Sequence, residues 1–184
     1  MKKIELLAPA GDEEALKAAI MAGANAVYMG GSRFGARAFA GNFEDDKLID
    51  AVDYAHQMGV KIYITANTII KDEEIGDFLN YIDFLYEIGV DAVILQDLGM
   101  IDIISKRIPD LELHASTQMT ASTAQDVLFL KELGVSRVVL SRELSYDEIS
   151  AIKTETNVEV EAFVHGALCV SYSGKCLFSS MNGM

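Results

Sequence analysis

The stretch IGVDAVILQ, Ile88 to Gln96, shares its plan with three others in this chain. AGANAVYMG (Ala22 to Gly30), MGVKIYITA (Met58 to Ala66) and LGVSRVVLS (Leu133 to Ser141) likewise run glycine, Val or Ala, one or two small or charged residues, then an apolar run. A glycine in that place ends a helix, because it takes the left-handed conformation that other residues avoid. The apolar run behind it reads as a strand buried on both faces, as in a parallel sheet. The repeat therefore describes the exit from a helix into a parallel strand, and the chain as a βα array.

Working outward, apolar runs recur as IELLAPA, AVYMGG, KIYITANTI, AVILQD, LELHASTQ, RVVLSRE and VEVEAFVHG. DEEALKAAIMAG (Asp12 to Gly23) and DEEIGDFLNYIDFLYEIG (Asp72 to Gly89) between them read as helices, acidic at the start and stopped by glycine. Such a pattern fits a (β/α)8 barrel or a doubly wound open sheet. The first strand is followed by LAPAGDEEA, with one glycine and no GxGxxG, so the dinucleotide-binding form loses its best support. Strand after strand instead ends in reactive or binding groups: Asn67, Gln96 and Asp97, Ser116 to Gln118, Ser141 to Glu143, Glu161 and His165. In a barrel such ends converge on one mouth.

The expected fold is therefore α/β, of the (β/α)8 TIM-barrel type, in a single domain over residues 1–184. It is incomplete: about seven strands are present where a barrel has eight, and roughly 250 residues are usual. The closing part is missing or supplied by another copy, and an uncovered edge strand predicts a homo-oligomer or a domain swap.

Composition narrows the function classes. Hydrophobic residues make up 51% of the chain and only two prolines occur, which excludes a disordered segment. No apolar run approaches the length of a spanning helix and the opening residues lack a signal-peptide core, so a cytoplasmic protein without membrane attachment is expected. The net charge is −13, from 28 acidic and 15 basic residues, and the longest basic excess is Lys2-Lys3. Taken alone, this segment should repel a phosphate backbone.

Both cysteines lie in EAFVHGALCVSYSGKC, Glu161 to Cys176. They read as core thiols, as half of a metal site, or as a disulfide, the last disfavoured in a reducing compartment. The stretch closely resembles the motif of the collagenase-like peptidase family U32. Its pattern is filled by Glu161, Phe163, Gly166, Ala167, Leu168, Cys169, Gly174, Cys176 and Ser179. ELLAPAG (Glu5 to Gly11), FGARAFAGNF (Phe34 to Phe43), LHASTQM (Leu113 to Met119) and VVLSREL (Val138 to Leu144) resemble the same family in the same order.

The resemblance implies an oxygen-independent hydroxylase of tRNA or rRNA bases, or of a quinone precursor, with prephenate as hydroxyl source. It also implies a 4Fe-4S cluster held by four cysteines, of which Cys169 and Cys176 are the first two. The other ligands and an RNA-contacting part are expected outside this chain. A cysteine-type peptidase using Cys169 or Cys176 with His165 is the alternative, although neither an orienting group nor an oxyanion hole is legible. A non-catalytic subunit or binding module is the third reading.

Among individual residues, His165 and Glu161 are the candidate catalytic groups. His165 is of the residue type most used for acid–base catalysis and falls at the expected end of the seventh strand. Glu161 shares a strand face with Glu159 and Phe163 and needs a cation there, for which Arg142 is the nearest candidate by chain order. Arg33 and Arg37 sit in a Gly-rich loop after the second strand. A small dicarboxylate such as prephenate would suit arginine's planar fork, so Arg37 and Arg142 are its expected holders, with Asn67, Gln96 and Gln118 as further binding groups. His114, inside a strand, is expected to be structural, and His56, on a helix, to lie at the surface.

Overall fold

The computed structural model describes residues 4–36, 42–167 and 169–176. Seven strands alternate with six helices: β1 (Leu7–Pro9), α1 (Glu13–Met21), β2 (Ala26–Gly30), α2 (Asp45–Gln57), β3 (Lys61–Ala66), α3 (Ile75–Glu87), β4 (Ala92–Leu95), α4 (Leu98–Arg107), β5 (Glu112–Ala115), α5 (Ala124–Glu132), β6 (Arg137–Val139), α6 (Tyr146–Thr156) and β7 (Glu159–Glu161). Single turns of 3-10 helix at Asp72–Glu74 and Thr117–Met119 complete the described elements. The chain divides into two compact units, Met1–Ile94 and Leu95–Met184, with the division inside β4.

In the first unit β1, β2 and β3 pair in chain order, all parallel, with Leu7 opposite Ala26 and Tyr28 opposite Tyr63. Because side chains alternate along a strand, Ala26, Tyr63, Ala92 and Ile94 cluster on one face, with Leu7 and Tyr28 packed against them. Val27, Met29, Ile62, Ile64 and Val93 occupy the intervening positions and are equally buried. Two buried faces explain why these strands are near-continuous apolar runs.

In the second unit β5, β6 and β7 pair in chain order and in parallel, with His114 opposite Arg137 and Arg137 opposite Glu159. Helices α5 and α6 of this unit begin with capping boxes. Thr123 with Asp126, and Ser145 with Glu148, exchange side-chain and backbone hydrogen bonds that satisfy otherwise orphaned amides.

The four glycines of the repeated sequence plan, Gly23, Gly59, Gly89 and Gly134, all have φ between +72° and +101°. Each ends a helix in the conformation that an L side chain resists. Two sequence expectations are revised. The first strand begins at Leu7, since Ile4 and Leu6 are exposed and find no buried face. The seventh ends at Glu161, so His165 lies in the following loop and not at a strand end.

Gly134 is held on two counts, by its φ of +101° and by the Ser105 Cβ, which lies 2.6 Å from where its own Cβ would stand. Gly134→Ala should lower unfolding free energy by about 1 to 3 kcal/mol, through strain and overpacking together, read as a fall in denaturant midpoint.

Candidate functional site

In the second unit the C-terminal ends of β5, β6 and β7 lie at one edge, because parallel neighbours point the same way. Three loops leave that edge: residues 116–121 after β5, residues 140–144 after β6, and the cysteine-bearing segment after β7. Their polar groups hold one another.

Arg142 is the hub. Its Nη2 donates to the Ser171 carbonyl at 2.8 Å, its Nη1 to the Cys169 carbonyl at 3.3 Å and its Nε to the Ser173 hydroxyl at 3.2 Å. Its own backbone N–H donates to the same hydroxyl at 3.1 Å. Ser173 is buried, its N–H donates to Glu143 Oε1 at 3.0 Å, and the Thr120 hydroxyl donates to its carbonyl at 2.9 Å. Thr120 adopts φ +58°, costly for a β-branched residue, and so aims that hydroxyl at the loop. Gly174, at φ +72°, sits so close to the Gln118 carbonyl that no Cβ could be accommodated.

Cys169 and Cys176 are both free and exposed. The Cys169 thiol is held below its ordinary range by a backbone hydrogen bond from Ser171, a side-chain hydrogen bond with Cys176 and the Ser171 hydroxyl; desolvation opposes this and the Arg142 charge assists it. Burial pushes the Glu143 carboxyl up, but the Ser173 hydrogen bonds and the Arg142 charge outweigh it and hold that group below the usual carboxylate range.

Two adjacent soft donors, one favoured as thiolate, suit half of a four-thiolate iron–sulfur ligand set. Among the described residues no group of three His, Cys, Asp or Glu converges to hold a metal ion. The donor set therefore fits as a pair.

The other expected site residues are dispersed. Glu161, partly buried, has Arg137 Nη1 at 4.0 Å, while Arg137 Nη2 donates to Glu159 at 2.9 Å. The cation on that face is thus Arg137 and not Arg142, because the register puts Arg137 beside Glu159 and turns Arg142, beyond the strand end, toward the cysteine loop. His165 is exposed in that loop. Gln118 lies in the turn under Gly174, and Gln96 follows β4 half-buried.

In the first unit, Asn67 Oδ1 accepts the Ala36 N–H at 3.0 Å and so ties the loop after β2 to the end of β3. Arg33 pairs with Asp45 at 2.8 Å and lies over the Tyr81 ring, 4.7 Å from its centroid. Burial, with the Asp45 charge, pushes the Tyr81 hydroxyl far up. Arg37, Leu168 and Ser179 lie outside the described residues. His114 is fully buried in β5, and His56, partly exposed, pairs with Asp91 at 2.8 Å.

Sequence reasoning missed Ser173, Thr120 and Gly174 as parts of this site. Gly174 stood in the recognised motif, whereas no local signal marks Thr120.

The family model of peptidase family U32 matches residues 11–184. The chain is 46% identical to the 23S rRNA 5-hydroxycytidine C2501 synthase of Escherichia coli, over 96% of this chain and 26% of that protein. It is 41% identical to the tRNA hydroxylation protein P1 of Bacillus subtilis, over 97% and 42%. It is also 39% identical to an uncharacterized protease of Methanocaldococcus jannaschii, over 98% and 45%. The chain thus spans less than half the length of each of these relatives.

Among solved structures it resembles a U32 peptidase with a TM-score of 0.72 at 16% identity, over 87% of this chain and 68% of that one. A 2,3-dimethylmalate lyase of the PEP mutase/isocitrate lyase superfamily gives 0.65 at 14%, over 92% and 70%. These likenesses support the fold class read from the repeats and the polar strand ends: an incomplete α/β array of the TIM-barrel type.

Because hydrogen bonds and charge favour the Cys169 thiolate, its alkylation by iodoacetamide should set in at lower pH than for a free cysteine. Cys176→Ala removes one of those donors and should move the midpoint of the rate profile upward, measured by mass spectrometry of the modified peptide.

Proposed function

This chain belongs to peptidase family U32, and we propose that it forms the thiol-presenting part of an RNA-base hydroxylase. The observation that carries the reading is the pair of free, exposed cysteines on the loop that Arg142 holds at the strand-end edge, in a chain 46% and 41% identical to relatives named for rRNA and tRNA hydroxylation.

In this reading Cys169 and Cys176 hold two positions of a 4Fe-4S cluster whose other thiolates lie outside the chain. Such a cluster supplies electron-transfer chemistry when bound. The chain's own contribution is to orient the ligands. Arg142, Ser173 and Glu143 fix the loop backbone, and Thr120 and Gly174 seat it on the turn after β5.

The hydroxyl donor is a small dicarboxylate, prephenate by family resemblance. Its proposed contacts within the second unit are Gln96 and Gln118. Arg142 spends much of its fork on the loop, which leaves it a lesser share of that task. Glu161, with Arg137 beside it, and the exposed His165 are the proposed acid–base groups. In this reading the phosphate-contacting surface lies elsewhere in the full protein, a placement that the net charge of −13 supports. The reading is that of a cytoplasmic enzyme; among the described residues, no helix is long and apolar enough to cross a membrane.

A cysteine-type peptidase is the second reading, favoured by the lowered Cys169 thiol, by the family name and by the relative named as a protease. Against it, the groups that favour the Cys169 thiolate are Ser171, Cys176 and Arg142, with no histidine among them.

The full natural protein, purified without oxygen, should carry about four irons with matching sulfide. Both should be lost in Cys169→Ala and Cys176→Ala. Nucleosides from cells lacking the gene should lack one species heavier by a single oxygen. Iron-free protein with an unchanged nucleoside profile would sink the hydroxylase reading, and iodoacetamide-sensitive peptide cleavage would replace it with the peptidase.

A further inference from the structure

An exposed loop of Ser, Tyr, Gly and Lys has little apolar surface to bury and should sample many shapes. Between Cys169 and Cys176, however, polar groups of Ser171, Tyr172, Ser173 and Lys175 are engaged. Arg142 takes the carbonyls of Cys169 and Ser171 and the hydroxyl of Ser173. From the far side, Glu143 accepts the Ser173 N–H, the Thr120 hydroxyl donates to the Ser173 carbonyl, and Gly174 rests on the Gln118 carbonyl. The Lys175 N–H closes a turn onto the Tyr172 carbonyl at 3.0 Å, one residue before Cys176. Arg142 itself follows Val138 to Ser141, all buried, so its anchor is part of the core.

We propose that Arg142 is a positioning residue which, through Ser173, presets Cys169 and Cys176 as one dithiol, so that a single thiophilic centre is captured by both sulfurs at once. The proposal rests on the hydroxylase reading only for the identity of that centre; the presetting is a property of the loop. Its physical basis is effective concentration. Once one sulfur has bound, the second is already held beside the centre and gives up little conformational freedom. The planar fork matters because three donors must reach three acceptors on different residues. A lysine ammonium on a flexible stem cannot hold that arrangement.

The test uses the full natural protein, reduced and freed of metal, with phenylarsine oxide as the probe. The arsenical forms two As–S bonds with a pair of thiols and releases one water, with no net oxidation or reduction. Wild type is compared with Arg142→Gln, Arg142→Lys, Ser173→Ala and the two single-cysteine variants. Iodoacetamide alkylation at each sulfur is followed in parallel.

We expect Arg142→Gln and Ser173→Ala to weaken arsenical capture by roughly tenfold or more. Alkylation of each single thiol should persist, and Arg142→Lys should not restore capture to the wild-type level. Should Arg142→Gln fail to fold, Ser173→Ala decides alone, since it deletes only the hydroxyl on which two Arg142 donors meet. Capture within about twofold of wild type in the folded variants overturns the proposal. So does a wild-type affinity no better than that of a single-cysteine variant, or a parallel loss of single-thiol alkylation. No arm uses iron or RNA, so the hydroxylase reading can fail while this result stands, and the reverse.

Discussion

Parallel pairing is the constraint from which the rest follows. Two parallel neighbours cannot be joined by a tight turn, so each strand is reached by a crossover helix that must stop, reverse and deliver the chain at the right height. Gly23, Gly59, Gly89 and Gly134 make those stops in the left-handed region. Within the second unit this brings the ends of β5, β6 and β7 to one edge, where three loops meet.

What those loops do to one another is electrostatic. Arg142 offers a charged, planar donor set to backbone carbonyls and a hydroxyl, and hydrogen bonds from a charged group are about twice as strong as neutral ones. Glu143, one residue on, faces the Ser173 amide of the same loop, so adjacent residues at the end of β6 grip it with opposite charge. Ser171 and Cys176, with the Arg142 charge assisting, raise the thiolate character of Cys169 without burying it, which suits a group that must meet a metal centre or an electrophile.

On the strand face, Arg137 serves a separate purpose. It lies between the exposed Glu159 and the partly buried Glu161, and for the latter an unaccompanied carboxylate would be costly. In the first unit Arg33 is absorbed in a comparable way by Asp45 and the Tyr81 ring. The arginines with assigned partners thus act first as parts of the scaffold. Any anion they bind must share or displace those partners.

The sequence by itself determined the βα alternation, the glycine-ended helices and the seven strands, because periodicity and backbone conformation are written locally. The family, too, was legible in the motif around Cys169 and Cys176. Tertiary structure alone decided that Arg142 serves the cysteine loop, that Arg137 accompanies Glu159 and Glu161, and that Thr120 is strained to reach Ser173. Those partners lie 22 to 53 residues apart along the chain. Only the strand register brings them together, and a local pattern carries no record of which loop a side chain will meet across the sheet.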